Sequence, residues 1–371
     1  MNLTEDFDST IPLTTTIGVG GGWDDNMNTS ATSPQESAYM NTGIGAVYGI
    51  VHSKTTVVNV GGNFSWIYYF DPAPGLKKSY YDTRGTLNVL HRVSPRLTLV
   101  NNSYLAYEIE PDYAIGASGA RRTDQYLYGY TRTAAEYAWT RRLATVTGFT
   151  LTGIDYKDNP VTSATEDRLT YIVSNQFRYL LDRQTTITQD FRWLHTSYDT
   201  LPRDVNNYIV TVGVDHIFSP RLSTSLAVGA EWNRDSVGGN ATKPYAEFLL
   251  TYRAAEKTTL TWANSLGFDQ NEIAAFSNRY SWRSGLTLAH QITPYISGRV
   301  AVGFLYSDFD GLSGVTTGTD ENSITVSAGL AYRIFDNTDV NVSYHYTNYS
   351  SDSLFRDYDR NRVSLGLTAT F

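Results

Sequence analysis

Arg84, Arg92, Arg132, Arg178, Arg192, Arg253, Arg283, Arg299, Arg333 and Arg362 each fall in a run where apolar and polar residues alternate, and each takes the polar parity. Glu108, Glu136, Asp190, Asp215, Glu231 and Glu247 take the same parity. A guanidinium is a permanently charged planar fork that suits carboxylates and other polar oxygens. Rings of charged side chains along one wall select solutes by sign, and a wall richer in Arg favours anionic or polar ones. The chemistry on offer is therefore binding and filtering. The bland alternative for any single Arg is a solvated wall stiffened by paired charges.

Tyr126, Tyr128 and Tyr130 share the parity of Arg132 and Glu136. As a ladder with a repeat of about 7 Å they could stack on sugar rings, and Tyr104 on the preceding run could join them. Alternatively a bulge flips this stretch and the tyrosines belong to an outer aromatic girdle. His52, His91, His216 and His290 stand just before short turns on the apolar parity, on separate hairpins, which suits anchoring at a membrane interface better than a shared metal site. His345 is the inward candidate. No nucleophile stands beside a base, so the reading is non-enzymatic, with no cofactor. Asp308-Phe309-Asp310-Gly311 lacks the spaced ligand series of a calcium loop.

Elements that could hold these residues are long strands. Val363, Leu365, Leu367, Ala369 and Phe371 fall on one parity; Arg362, Ser364, Gly366, Thr368 and Thr370 fall on the other. Side chains alternate faces along a strand, so this is a ribbon with one apolar and one wet face. The pattern recurs at Leu222–Trp232, Ile296–Tyr306, Ile324–Ile334 and Tyr208–Val214. Over 142–156 the phase is lost, since Val146, Phe149 and Leu151 do not agree, and a bulge is expected there. Short turns are expected at Ser53-Lys54, Ser94-Pro95-Arg96, Thr140-Arg141-Arg142, Asp182-Arg183, Ser219-Pro220-Arg221, Ala255-Glu256-Lys257, Thr293-Pro294 and Asp336-Asn337. Longer polar breaks cover 24–37, 71–79, 110–123, 157–165, 199–204, 236–242, 270–278, 308–320 and 351–356. These delimit eighteen strands with both termini on the short-turn side.

The fold class is all-β: a single transmembrane antiparallel barrel in an up-and-down meander. The barrel domain is expected over 13–371, after a periplasmic tail at 1–12. Eighteen strands about 4.8 Å apart and tilted about 40° give a tube near 35 Å across the backbone. Sandwich strands are mostly shorter, about 5–6 residues, and a propeller needs four strands per repeat where these repeats hold two. No stretch approaches the roughly 18 apolar residues of a membrane helix, but barrel strands need only about 9–11 residues, every second one apolar. A mean hydropathy of −0.32 is therefore compatible with a membrane protein. The absence of Cys suits an oxidising compartment, and a net charge of −8 argues against a nucleic-acid partner. Trp23, Trp66, Trp232 and Trp282 near the loops, and Trp139, Phe218, Phe335 and Phe371 near the turns, mark two interfacial girdles. Met1 directly precedes the polar Asn2-Leu3-Thr4-Glu5, so a secretory leader is expected to have been removed.

The terminal amphipathic strand closed by Phe371 resembles the last strand of bacterial outer-membrane barrels, which implies recognition by the barrel assembly machinery. Together with the hairpin beat and the repeated Ser-Pro-Arg turn, it resembles the putative β-barrel porin 2 family. That resemblance implies an outer-membrane location against lipid and lipopolysaccharide. It also implies a passive channel for small polar or anionic solutes, carbohydrates included. Some members of the family are associated with exopolysaccharide loci, which implies as alternatives an exit conduit working with a periplasmic export partner, or a barrel that anchors another envelope protein.

Overall fold

A computed structural model describes residues 13–72, 77–108, 125–156, 167–199, 203–237, 239–269, 276–311, 318–352 and 357–371. The expected tail at 1–12 lies outside the described residues. The strands in the first half are β1 (Leu13–Asp24), β2 (Ser37–Ser53), β3 (Thr56–Tyr69), β4 (Ser79–Arg92), β5 (Leu97–Glu108), β6 (Tyr126–Ala138), β7 (Leu143–Tyr156), β8 (Arg168–Leu180) and β9 (Thr185–Tyr198). The second half holds β10 (Arg203–Ser219), β11 (Leu222–Asp235), β12 (Gly239–Ala255), β13 (Thr258–Asp269), β14 (Phe276–Gln291), β15 (Ile296–Gly311), β16 (Thr319–Phe335), β17 (Thr338–Ser351) and β18 (Tyr358–Thr370). Each strand pairs with its sequence neighbours, and β1 pairs antiparallel with β18 from Thr16↔Thr370 to Asp24↔Arg362. The result is one closed eighteen-stranded meander.

Closure follows from the alternation. The outward parity exposes Ile17, Val212, Leu226, Val228, Val300, Val302, Leu330 and Leu365, which in water would be an unusually large apolar surface. In a bilayer it is the required one, because the hydrocarbon has no partners for unpaired backbone and only a sheet without edges tolerates it. The opposite parity carries the charged and hydroxyl side chains and faces the bore.

Turns close where the sequence marks them, and five use one device. Ser94, Thr140, Asp182, Ser219 and Thr293 each open a turn and accept hydrogen bonds from the backbone N–H groups two and three residues on. Such side chains satisfy turn donors locally and so fix the hairpin register.

Two expectations need correction. The segment over 142–156 is not bulged: β7 pairs with β6 and β8 without a register shift. The phase break arises because Val146 and Ile154 turn inward, where they are 6% and 7% exposed, while Phe149 faces out at 45%. Ile154 packs with Tyr126, Tyr128 and Tyr156, while Val146 is buried on the inner wall nearer the turns, as are Leu90, Val100 and Ala134. The Asp308–Gly311 segment is the end of β15 rather than a loop: Phe309 is fully buried and Asp308 pairs with Lys243 at 3.0 Å.

Glycine is demanded where paired strands leave no room for a Cβ. A Cβ on Gly20 would sit 2.8 Å from the Leu365 carbonyl oxygen, and one on Gly213 would sit 2.7 Å from that of Leu226. These two seams, β18–β1 and β10–β11, lie half the ring apart.

Leu226→Arg should destabilise the barrel by about 2–4 kcal/mol in unfolding from lipid vesicles, since its side chain meets hydrocarbon. Ser225→Arg should cost much less, because Ser225 donates to Asp215 at 2.6 Å and an Arg there gains that carboxylate as partner. A second expectation concerns the β8–β9 turn. Backbone donation, first from Gln184, holds the Asp182 carboxyl below the usual carboxylate range. A depressed pKa adds stability that is present above the unfolded value and lost as pH falls through the folded one. Amide exchange at Gln184 and Thr185 should therefore accelerate on acidification below the ordinary carboxylate range. Asp182→Asn should abolish that extra pH dependence.

Candidate functional site: the inner wall

Strand register places every sequence-derived candidate on the inward parity. Neighbouring inward positions meet in rows, as in Arg84↔Ala106, Glu108↔Tyr126, Asn102↔Arg132, Ser174↔Arg192, Gln176↔Asp190, Ala227↔Glu247 and Ser265↔Arg283. Sequence reasoning could assign the face of each residue but not its partner, and partnership is what organises the wall.

On the β4–β6 arc the Arg84 Nε donates to Glu108 Oε1 at 2.7 Å, with the guanidinium 5.0 Å from the Tyr104 ring centre. The Tyr104 hydroxyl donates to the same oxygen at 3.1 Å, and that of Tyr126 to Oε2 at 3.5 Å. Tyr126 and Tyr128 are almost fully buried, Tyr126 against Tyr156 and Tyr128 against Tyr104. The rings thus spend their faces on one another, and only Tyr104 and Tyr130 are half-open.

The β9–β12 arc holds the longest-reaching contact. Arg192 bonds Asp190 at 2.5 Å and then spans two strands to fork onto Glu247 at 2.8 and 3.2 Å, with the Tyr245 hydroxyl at 3.0 Å. A bidentate Arg–carboxylate pair fixes geometry as well as charge. Beside it, Glu231 is 1% exposed and accepts from the Asn207 amide at 2.7 Å and the Phe268 N–H at 2.8 Å. Further round, Arg178 faces Asp215 at 3.8 Å, Arg283 bonds Asp269 at 2.5 Å and Arg333 approaches Asp339 at 3.4 Å. Arg362 lies 5.7 Å from the Tyr39 ring centre. Arg132, Arg253, Arg299 and Glu136 make no ion pair within 4 Å among the described residues.

Several inward groups escaped sequence reasoning. Arg203 and Asp235 pair at 2.6 Å, and Arg360 and Asp24 at 2.5 Å, in both cases buried. Arg279 is fully buried, donates to Ser307 at 3.0 Å and lies 5.3 Å from the Phe309 ring centre. Glu321 receives the hydroxyl of Tyr349, which stacks on Tyr358. Most of these positions sit at strand ends within or beside the polar breaks, and extending the parity of Arg362 back to Arg360 and Tyr358 would have found two of them.

Burial varies along the bore. Asp24, Thr170, Arg203, Glu231, Arg279, Phe309, Glu321 and Tyr349 are fully covered and lie toward the loop side. Arg92, Arg253, Arg299 and Arg333, toward the turns, are exposed. The wall is therefore packed and ion-paired at one mouth, and open and cationic at the other. Along β18–β1–β2–β3 its character changes again. Gly18, Gly20, Gly43, Gly45 and Gly366 floor a groove of about 470 Å³, edged by Thr16, Asn41, Asn63, Ser65 and Ser364, with Arg362 as its one charged lining residue.

His91, His216 and His290 each present Nδ1 to a threonine hydroxyl on the paired strand, Thr56, Thr185 and Thr258, at 2.8, 3.0 and 2.8 Å. They are anchored singly. Among the described residues no three His, Asp or Glu side chains are grouped to hold a metal ion.

Breaking a buried pair leaves an uncompensated charge. Arg203→Met should therefore cost about 3–5 kcal/mol of stability, and Arg203→Met with Asp235→Leu should recover most of it. Chemical unfolding of the three barrels, wild type and both variants, checks this.

Among solved structures the chain is similar to the outer membrane protein OpdK of Pseudomonas aeruginosa, at 11% identity over 97% of this chain and 98% of that one, with a TM-score of 0.53. A structure of the same protein with vanillate gives 12% identity over 96% and 99%, with a TM-score of 0.52. OccAB4 of Acinetobacter baumannii gives 11% over 97% and 99%, with a TM-score of 0.50. At these identities the likeness is one of fold. No curated protein matches the sequence. The model of the putative β-barrel porin 2 family matches residues 13–371, so this outer-membrane barrel belongs to that family.

Proposed function

We propose that the chain is a passive outer-membrane channel for small polar or anionic solutes, without catalytic activity. The observation that carries this reading is a closed barrel whose inward parity is mostly polar and opens at the turn side onto exposed Arg92, Arg253, Arg299 and Arg333. Most inward arginines nearer the loops are balanced by a carboxylate, and Arg333 at the open mouth faces Asp339, so the positive field belongs mainly to Arg132, Arg253 and Arg299. The proposed pore-lining set is the one inferred from sequence, with Tyr104 and Tyr130 as its half-open aromatic faces. Delivery through a cleaved leader, and insertion by the assembly machinery reading the strand that ends at Phe371, complete this reading.

A second reading has its own observation. The glycine-floored groove has a single charged residue, Arg362, and is edged by amides and hydroxyls, which suits a glycan chain sliding past many weak hydrogen bonds. In that reading the barrel is an exit conduit and its open mouth meets a periplasmic export partner.

Planar bilayers separate these readings. Wall charges are screened over about 10 Å at 0.1 M salt, so the wild-type barrel should conduct with a modest Cl⁻ over K⁺ preference that grows at low salt. Changing Arg132, Arg253 and Arg299 together to Glu should reverse the preference. Vanillate, the molecule present with OpdK, serves as a small organic anion for a liposome uptake assay. A purified barrel that never conducts overturns the diffusion reading and favours the gated conduit.

A further inference from the structure

Outward residues at one depth expose a break in the lipid-facing band. The fifth residue of each upward strand stands about 10 Å above its turn-side end, inside the hydrocarbon. On β1, β3, β11, β13, β15 and β17 this residue is Ile17, Val60, Leu226, Trp262, Val300 and Val342. On three consecutive upward strands, β5, β7 and β9, it is Asn101, Thr147 and Gln189. The strands between add Thr131 and Thr133 on β6 and Asn175 on β8, all on the outward parity.

These groups are arranged, not scattered. The Asn101 amide donates to Thr133 at 3.0 Å and to Thr131 at 3.3 Å, and its oxygen accepts from Ser103 at 3.0 Å. Asn175 donates to Thr147 at 2.7 Å. The Gln189 side chain is exposed and has no hydrogen-bond partner among the described residues. An amide facing hydrocarbon without a partner is strongly unfavourable, and lipid tails cannot supply one. Gly129 and Ala135 stand beside the threonines, and the exposed Phe149, Phe177 and Phe191 surround the patch with apolar surface that a partner wall can cover.

We propose that the outward face of β5–β9 is where two copies of this chain pair side by side in the membrane. Three features favour a second copy. The patch carries no charged side chain, so it does not select an acidic or basic partner. Its amides and hydroxyls both donate and accept, so the patch is complementary to itself about a two-fold axis, as closed dimers require. Any occupant at this depth must satisfy its own backbone in lipid, which another barrel wall does. The wall from β5 to β9 offers roughly 600 Å², from strands about 4.8 Å apart and an apolar band about 25 Å tall, approaching the ~800 Å² per partner of a stable interface.

The chain has no Cys, which makes the test direct. Single Thr147→Cys, Gln189→Cys and Val300→Cys barrels are oxidised in dilute phosphatidylcholine vesicles, and the mass of the unmodified barrel is measured in nanodiscs. We expect a mass of two barrels, with disulfide-linked dimer from Thr147→Cys or Gln189→Cys at least tenfold above Val300→Cys. Asn101→Leu, Asn175→Leu and Gln189→Leu combined should shift the mass to one barrel while leaving the folded, heat-modifiable band intact. A one-barrel mass for the unmodified chain, or equal cross-linking at all three positions, overturns the proposal. So does a two-barrel mass that survives the leucine substitutions, or a contact only with a different protein.

Discussion

Hydrocarbon accepts no unpaired backbone hydrogen bond, and everything else in this molecule follows from that constraint. A sheet in such a solvent must have no edge, so the nine-pair seam between β1 and β18 is the contact on which the remaining ladders depend. Once the tube is closed, alternation does the rest. One parity meets lipid and must be apolar; the other is hidden from lipid and is free to carry charge. The hydrophilic bulk composition is the visible outcome of having two surfaces with opposite requirements on one strand.

Closure also sets the cost of curvature. A ring of eighteen strands bends only slightly per strand on average, yet at Gly20 and Gly213 the paired backbone leaves no room for a Cβ. Near the first of these places lies the groove of Gly18, Gly43 and Gly366. Elsewhere long side chains reach across and pair.

Much of this was legible in the sequence, for a physical reason. Period-two alternation and turn chemistry are local properties, so the strand count, the short turns at Ser94, Thr140 and Ser219, and the shared face of Arg192 and Glu247 could be read without a structure. Pairing between strands three apart is not local. That Arg192 forks onto Glu247 depends on register and curvature accumulated over β10 and β11. Strand ends were the other weak point: Arg203 fell inside a polar break, and Arg279 and Arg360 just beyond one, where neighbours are polar on both parities, as expected where a strand rises beyond the lipid. Val146 and Ile154 misled in the opposite way, since a bore can bury apolar groups, as Tyr126, Tyr128 and Tyr156 bury Ile154.

The Arg192–Glu247 fork has a mechanical meaning. A thin tube resists bending out of round only weakly, unless ties inside it hold separated parts of its circumference at a set distance. Arg192 is such a tie, spanning β9 to β12, and Arg178–Asp215 is a shorter one from β8 to β10. The arc from β18 through β3 has hydroxyls and glycines on its inner surface. The barrel is therefore stiff along one side and compliant along the other. Fluctuations in bore width should concentrate in the compliant arc, so that the moving part of the aperture is its glycine-lined wall.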